Sequence, residues 1–251
     1  MAIYNIHGGH SLKCRGAAGY LDEVDEDRKV KNKVIELLRK EGHTVYDCTD
    51  DVGTTASDNL KRIVNKCNAH SGVAIDVSIH LNAGGGTGPE VWIYSNKLYD
   101  VAERISSRIA LAFGLRDRGV KYSTGLYVLK HTTAPALLVE CCFVDSAQDK
   151  KVWDADKCAK AIVEGILNKT IATETVKKPT ESKTTPFLVR VDTKKLPVRK
   201  GPGTNYGKTG LYTGVGTFTI VEVKEGKGSA SGWGKLKSDA GWIALDATKR
   251  V

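Results

Sequence analysis

The sequence lacks any apolar run that approaches the roughly 18 residues a membrane-spanning helix requires. Its first residues, Met1 to His7, also lack the basic and apolar regions of a secretory signal. We therefore expect no insertion into a membrane. We also expect the chain to be made and kept in the cytoplasm until something else releases it.

None of the six cysteines forms a pair with the Cys-x2-Cys spacing of a structural zinc site. A chain of 251 residues is long enough to bury a core without disulfide bonds. The pattern therefore favours free thiols, most of them buried.

Positive charge is spread unevenly along the chain, whose net charge is +9. Residues 187–251 carry 12 Lys and Arg against 5 Asp and Glu, whereas residues 1–170 carry 23 against 22. This excess predicts an anionic partner for the C-terminal segment. Because that segment contains no recognised RNA- or DNA-binding motif, we do not expect the partner to be nucleic acid.

A stretch at 171–186 is rich in Thr, Lys and Pro and poor in large apolar residues, which predicts a linker. Before it, strand-like and helix-like segments alternate over 1–170. This alternation predicts an α/β domain with a largely parallel central sheet flanked by helices. After it, short β-prone runs and Gly-rich turns over 187–251 predict a small all-β barrel. The expected strands of the first domain are 3–6, 44–46, 73–79, 91–94, 126–129 and 136–139, and the expected helices are 26–41, about 60–67, 101–109 and 147–167.

Two histidines stand directly after predicted strands. His10 follows the first strand within a Gly-containing turn, and His80 ends the buried run at 73–79. Ligands of open α/β sheets bind at the carboxyl ends of the strands, so these two side chains can meet. A catalytic zinc commonly takes two histidines and one carboxylate. The sequence pattern does not decide which of the acids at 22–27 would supply the carboxylate. These acids could also simply complement a helix N-terminus.

A further acid, Glu140, ends the apolar strand at 136–139. A carboxylate is costly to bury there without a partner, and a nearby metal with its bound water would supply one.

Three motifs resemble those of the zinc-dependent N-acetylmuramoyl-L-alanine amidases. Gly9-His10-Ser11, with Gly16 to Gly19 and Leu21-Asp22-Glu23, resembles the opening of that family. Ser78 to Ala83 matches its second histidine motif, and Pro135 to Glu140 matches its late glutamate motif. The motifs fall in the family's order and span nearly all of residues 1–170.

The resemblance implies His10, Glu23 and His80 as ligands of Zn²⁺, with Glu140 as the catalytic acid and base. It implies hydrolysis of the peptidoglycan amide that joins N-acetylmuramic acid to L-alanine of the stem peptide. The family has one histidine in the first turn where this chain has two, and the family spacing favours His10 over His7. Glu26 and Cys14 are the less favoured substitutes within the ligand set.

Other residues are candidates for contacts with substrate. Asn82 and the glycine-rich loop at 84–88 are expected to line the cleft, and His131 is a further candidate.

Two motifs of the C-terminal segment, at 196–206 and 231–243, resemble those of bacterial SH3-like domains, which bind cell-wall peptide or polymer. Tyr206, Trp233 and Trp242 are the aromatic candidates for contacts with the wall. A barrel of this size also needs large side chains in its core, which favours core positions for both tryptophans. The positive charge would favour anionic wall polymers.

An amidase with a wall-binding module and no secretory signal resembles a bacteriophage endolysin, made in the bacterial cytoplasm and acting on the wall after release. A host autolysin or a spore-associated amidase has the same architecture. A zinc peptidase that cuts within the stem peptide is another alternative, although the His-Glu-x-x-His motif is absent. A wall-binding protein with a decayed metal site is disfavoured because all four chemical positions are filled.

Overall fold

The protein is described by a computed structural model that covers residues 1–171 and 186–251. The predicted linker at 171–186 lies, except for its two end residues, outside the described residues. The chain separates into two compact units, residues 1–172 and 173–251. All six thiols are free and five of them are buried, as the sequence predicts.

The first unit is built around a six-stranded sheet with helices. Its elements are β1 (Ile3–Gly8), α1 (Glu23–Lys40), β2 (Thr44–Asp47), α2 (Ala56–Asn68), β3 (Val73–Asn82), β4 (Glu90–Ile93), α3 (Tyr99–Phe113), β5 (Val120–Tyr122), α4 (Tyr127–His131), β6 (Ala136–Phe143), α5 (Ala147–Val152) and α6 (Ala155–Leu167), with a 3-10 turn at Asn96–Leu98. The strand order is β2-β1-β3-β6-β4-β5, and neighbouring strands are parallel except β4 with β6. The predicted α/β class with a central sheet is confirmed.

Side chains alternate between the two faces of the sheet, and each face carries its own apolar cluster. On β6, Leu137 and Val139 join the larger cluster with α1, α3 and α6, while Leu138 joins the smaller one with α2 and α4. On β3, Ile75, Val77 and Ile79 join the larger cluster, and they alternate with the buried polar residues Asp76 and Ser78 on the other face.

Two sequence predictions in this unit are wrong. The run Leu126–Leu129, predicted as a strand, enters the short helix α4, in which Val128 and Leu129 are buried. An apolar run of four residues can be buried in either conformation, so its local pattern does not decide between them. The single helix predicted over 147–167 is two helices, because Asp154 caps a new one by accepting a hydrogen bond from the Lys157 amide at 3.0 Å.

The second unit is an antiparallel sheet of seven strands. They are β7 (Phe187–Val191), β8 (Pro197–Arg199), β9 (Lys208–Tyr212), β10 (Gly216–Gly226), β11 (Ser229–Leu236), β12 (Trp242–Ala244) and β13 (Lys249–Arg250). The strand order is β13-β7-β10-β11-β12-β8-β9. Its apolar core includes Val189, Val191, Ile220 and Ile243.

Across residues 1–171 and 186–251, no helix combines the length and the apolar character needed to cross a lipid bilayer.

Candidate metal centre

Three adjacent strands bring the predicted polar residues to one edge of the first sheet. β1, β3 and β6 are neighbours and parallel, so their carboxyl ends meet at the same edge. His10 follows β1, His80 lies near the end of β3, and Glu140 on β6 is paired in register with His80. His80 and Glu140 are therefore side by side, but the predicted strand ends are wrong, because β3 continues to Asn82 and β6 to Phe143.

The start of helix α1 supplies the carboxylate. Asp22 caps the helix by accepting a hydrogen bond from the Asp25 amide, which fixes Glu23 in the first turn. Glu23 Oε1 lies 3.0 Å from His80 Nδ1, and Glu23 Oε2 lies 3.3 Å from His10 Nε2. One potential ligand atom from each of these three residues lies within 4.8 Å of the other two. Within residues 1–171 and 186–251, this is the one such group of His, Cys, Asp and Glu.

The Glu23 carboxylate is buried between the two imidazoles. Burial alone would raise its pKa, but hydrogen bonds with His10 and His80 outweigh burial and hold the pKa well below the ordinary value. The amides of Ala17 and Leu81 also donate to its two oxygens, at 2.8 Å and 3.3 Å. Glu23 is therefore a fixed, ionised carboxylate, which is the form that coordinates a cation.

Two glycines allow the three side chains to approach each other. A Cβ at Gly9 would overlap the His80 ring, and a Cβ at Gly16 would overlap the Glu23 carboxylate. These are the glycines of the first sequence motif. Their lack of a side chain leaves the space in which the cluster is assembled.

Glu140 lies beside this cluster with an unsatisfied oxygen. Its Oε2 atom is buried and has no hydrogen-bond partner among the described residues. Burial, together with the negative charges of Glu23 and Glu90, raises the pKa of Glu140 to about 8. A pKa this close to neutrality suits a carboxyl group that both takes up and releases a proton.

A buried acid that the sequence analysis missed lies next to Glu140. Glu90 is paired with Glu140 across β4 and β6 and is almost fully buried. It accepts hydrogen bonds from Asn82 Nδ2 at 3.0 Å, Trp92 Nε1 at 3.1 Å and Arg118 Nε at 2.7 Å. The predicted cleft residue Asn82 is thereby fixed at the sheet edge. The sequence did contain a signal for Glu90, because it is an acid at the start of an apolar strand, just after the glycine-rich loop.

The competing ligand candidates lie elsewhere. His7 is buried on β1, outside the cluster, with its Nδ1 atom 3.4 Å from Ser78 Oγ. Burial lowers the pKa of His7 to about 3, so its ring is neutral. Glu26 accepts a hydrogen bond from Trp153 Nε1 at 2.9 Å, and Cys14 stands outside the group.

The structure places His131 away from the cluster. It ends α4, and its carbonyl oxygen accepts a hydrogen bond from Asn68 Nδ2 at 3.0 Å. Asn68 closes α2 shortly before β3 begins, so this contact lies at the amino ends of the strands. His131 is therefore at the opposite edge of the sheet from the predicted cleft.

The aromatic candidates of the second unit differ in exposure. Trp233 is 2% exposed and Trp242 is 7% exposed, whereas Tyr206 is 44% exposed. The tryptophans are core residues, in line with the size of this unit and against direct contact with a wall polymer. Tyr206 is the one of the three whose ring is open to a ligand.

Fold and site together define the class: an α/β protein with a candidate metal centre of two histidines and a carboxylate at the carboxyl ends of its strands. The model of the N-acetylmuramoyl-L-alanine amidase family matches residues 5–170. The chain belongs to this family.

The chain is also similar to individual proteins and to solved structures. An uncharacterised protein of Clostridium perfringens (strain 13 / Type A) is 33% identical over 241 residues, which are 88% of this chain and 70% of that protein. The N-acetylmuramoyl-L-alanine amidase LytC of Bacillus subtilis (strain 168) is 34% identical over 187 residues, which are 65% of this chain and 34% of LytC. The solved catalytic domain of the CD27L endolysin targeting Clostridia Difficile is similar with a TM-score of 0.63 and 30% identity, covering 68% of this chain and 100% of that domain.

Proposed function

We propose that the protein is a zinc-dependent amidase that hydrolyses the bond between N-acetylmuramic acid and L-alanine in peptidoglycan. One observation carries the proposal. The cluster of His10, Glu23 and His80 lies beside Glu140, whose Oε2 atom is buried without a hydrogen-bond partner, in a chain of the amidase family.

The donor set fits zinc. Two imidazole nitrogens and one carboxylate are a common ligand set of catalytic zinc, which keeps a further position open for water or substrate. When bound, zinc lowers the pKa of a coordinated water to about 7 and polarises a substrate carbonyl. His10, Glu23 and His80 would hold the ion, and the ionised state of Glu23 supports this role.

Glu140 is the proposed acid and base. As a base it takes the proton of the attacking water, and as an acid it delivers that proton to the leaving nitrogen of L-alanine. Both transfers need a carboxyl group whose pKa is near the working pH, and its pKa of about 8 supports this assignment. Asn82, held by Glu90, would line the adjoining cleft.

For the second unit we propose an SH3-like fold that binds the cell wall. Support comes from its antiparallel sheet, its motifs and its positive charge, with 12 Lys and Arg against 5 Asp and Glu. Tyr206 is the exposed aromatic candidate for a wall contact. Anionic wall polymers fit the charge of this unit.

We further propose that the protein is a phage endolysin, made in the cytoplasm of a bacterial host and acting on the wall after release. Similarity to the catalytic domain of an endolysin supports this setting. Similarity to a Bacillus amidase supports the alternative of a host enzyme.

Digestion of purified Gram-positive peptidoglycan, with and without a chelator, tests the reaction. We expect free stem peptides that begin with L-alanine, absent with chelator and restored by zinc, when the fragments are analysed by mass spectrometry. Fragments cut within the peptide would keep the metal centre but identify a peptidase. Intact wall with bound protein would refute the enzyme and leave a binding protein.

A further inference from the structure

The carbonyl oxygen of His10 is held from two helices at once. Arg28 of α1 donates from Nη2 at 3.1 Å, and Asn59 of α2 donates from Nδ2 at 3.0 Å. We propose that Arg28 and Asn59 are positioning residues that fix the backbone of His10 and thereby set the affinity of the cluster for its metal. This inference rests on the proposed zinc centre and adds residues that no sequence motif indicates.

The backbone of His10 needs such support. Its φ angle is 54°, in the left-handed region that residues with a Cβ seldom adopt. The other two described non-glycine residues of this kind are Asn168 and Asp239, and Asn, Asp and His are the residue types that enter this region most often. A left-handed residue at the end of β1 turns the chain sharply and directs the imidazole toward Glu23.

Arg28 fixes two successive carbonyl groups of the turn. Its Nη1 atom donates to the Gly9 oxygen at 2.8 Å, next to the bond from Nη2 to the His10 oxygen. The guanidinium is held in turn by Asp27 and Asp51, and its side chain is only 14% exposed. The planar fork of arginine suits this task because it presents several donors in a fixed geometry.

Asn59 connects the same carbonyl to a second loop. Its side chain is 2% exposed, and its Nδ2 atom also lies 3.1 Å from the Asp50 carbonyl and 3.0 Å from Asp50 Oδ2. Asp50 Oδ2 accepts the Gly53 amide at 3.0 Å, so the loop after β2 is fixed to α2 at this point. The turn that carries His10 is therefore anchored on two independent sides.

The consequence concerns metal affinity. A ligand that must be reoriented on binding costs free energy, whereas a ligand held in place does not. Loss of either donor leaves the His10 peptide free to leave the left-handed region, and its imidazole then moves away from Glu23 and His80. Residues that orient ligands typically contribute about 10- to 100-fold to metal affinity.

The test compares zinc affinities of full-length variants by competition with a coloured chelator, after circular dichroism has shown that each is folded. Arg28→Lys keeps the charge beside Asp51 but cannot reach two carbonyls, and Asn59→Leu removes the donor. The matched controls are Arg62→Lys and Asn65→Leu on the exposed surface of α2. We expect both test variants to bind zinc about 10- to 100-fold more weakly than the wild type, and the controls to bind equally.

Folded test variants with wild-type zinc affinity would overturn the inference. Wild-type affinity in Arg28→Lys with loss in Asn59→Leu would overturn it for Arg28, since it would show that charge alone suffices there. A wild-type protein that binds no zinc would instead refute the proposed metal centre, and this result appears before any variant is compared.

Discussion

His80 and Glu140 are paired residues on the neighbouring parallel strands β3 and β6. Paired residues of adjacent strands project on the same face of a sheet, so a candidate metal ligand and a candidate proton carrier are neighbours by backbone register alone. The geometry of the proposed chemistry therefore depends on the pairing of two buried strands, which is more rigid than a loop.

Replacing Glu140 with glutamine should abolish turnover without loss of zinc. Glutamine keeps the shape of the side chain but cannot carry a proton, so we expect kcat for release of stem peptides to fall by about 100- to 10,000-fold. Zinc content, measured by atomic absorption, should match the wild type. Glu103→Gln, on the exposed side of α3, is the matched control. Activity within tenfold of wild type would exclude Glu140 as the acid and base.

The stability of the metal-free protein should depend on the ionisation of Glu140. Its pKa rises from an ordinary 4.5 to about 8 in the folded state, so the folded state holds a proton that the unfolded state has lost between these values. Stability should therefore fall as pH rises from about 4.5 to 8 and level off above, by up to about 1.4 kcal/mol per pH unit.

Urea denaturation in the presence of EDTA measures this effect as the difference between wild type and Glu140→Gln at several pH values. Using the difference matters because burial also raises the pKa of Asp27 to about 8, and both proteins share that residue. A pH-independent difference would contradict the raised pKa of Glu140.

Adding a methyl group at Gly9 should disrupt the cluster. The Cβ of Gly9→Ala would overlap the His80 ring, and relief of the overlap must move either the turn or the imidazole. We expect a loss of roughly 1 to 3 kcal/mol in stability and weaker zinc binding. Gly125→Ala is the control, since its Cβ would meet no atom closer than 3.9 Å. Thermal unfolding and zinc titration of both variants would decide, and equal behaviour would refute the packing argument.

Binding of the full-length protein to cell walls should be sensitive to salt. The screening length falls from about 10 Å at 0.1 M salt to about 3 Å at 1 M, so attraction between the positive second unit and anionic polymers weakens. The inactive Glu140→Gln variant allows wall sedimentation to be measured without digestion. Walls stripped of their anionic polymers serve as the control. Binding that is equal on both walls and at both salt concentrations would point to recognition of the peptide or glycan.

The sequence indicated one part of the site well, for a physical reason. His80 and Glu140 are polar residues that follow apolar runs in neighbouring parallel strands, so local pattern and sheet geometry predicted their proximity, although β3 and β6 continue past them to Asn82 and Phe143. Glu23 could not be selected from the acids at 22–27 by pattern, and the family resemblance was needed. In the structure, helix α1 begins at this residue.

The residues that sequence reasoning missed act through tertiary contacts. Arg28 and Asn59 bind backbone oxygens of a distant turn. Every residue has a backbone oxygen, so no pattern of side chains in the sequence indicates which one is bound. Glu90 accepts a hydrogen bond from Arg118, which is 28 residues away along the chain, so the local sequence does not indicate this contact. The prediction of a strand at 126–129 was wrong for a related reason, because packing against α2 and β6 determines the conformation of this run.

The spacing of the cluster along the chain links metal binding to folding. Glu23 and His80 are 57 residues apart in sequence, and they meet only after β1, α1 and β3 have assembled. An unfolded chain offers these side chains at no fixed distance, so an ion that binds the cluster selects the native state and stabilises it by mass action. The lifetime of the first unit against proteolysis would then vary with the free concentration of the ion, and removal of the metal would shorten it.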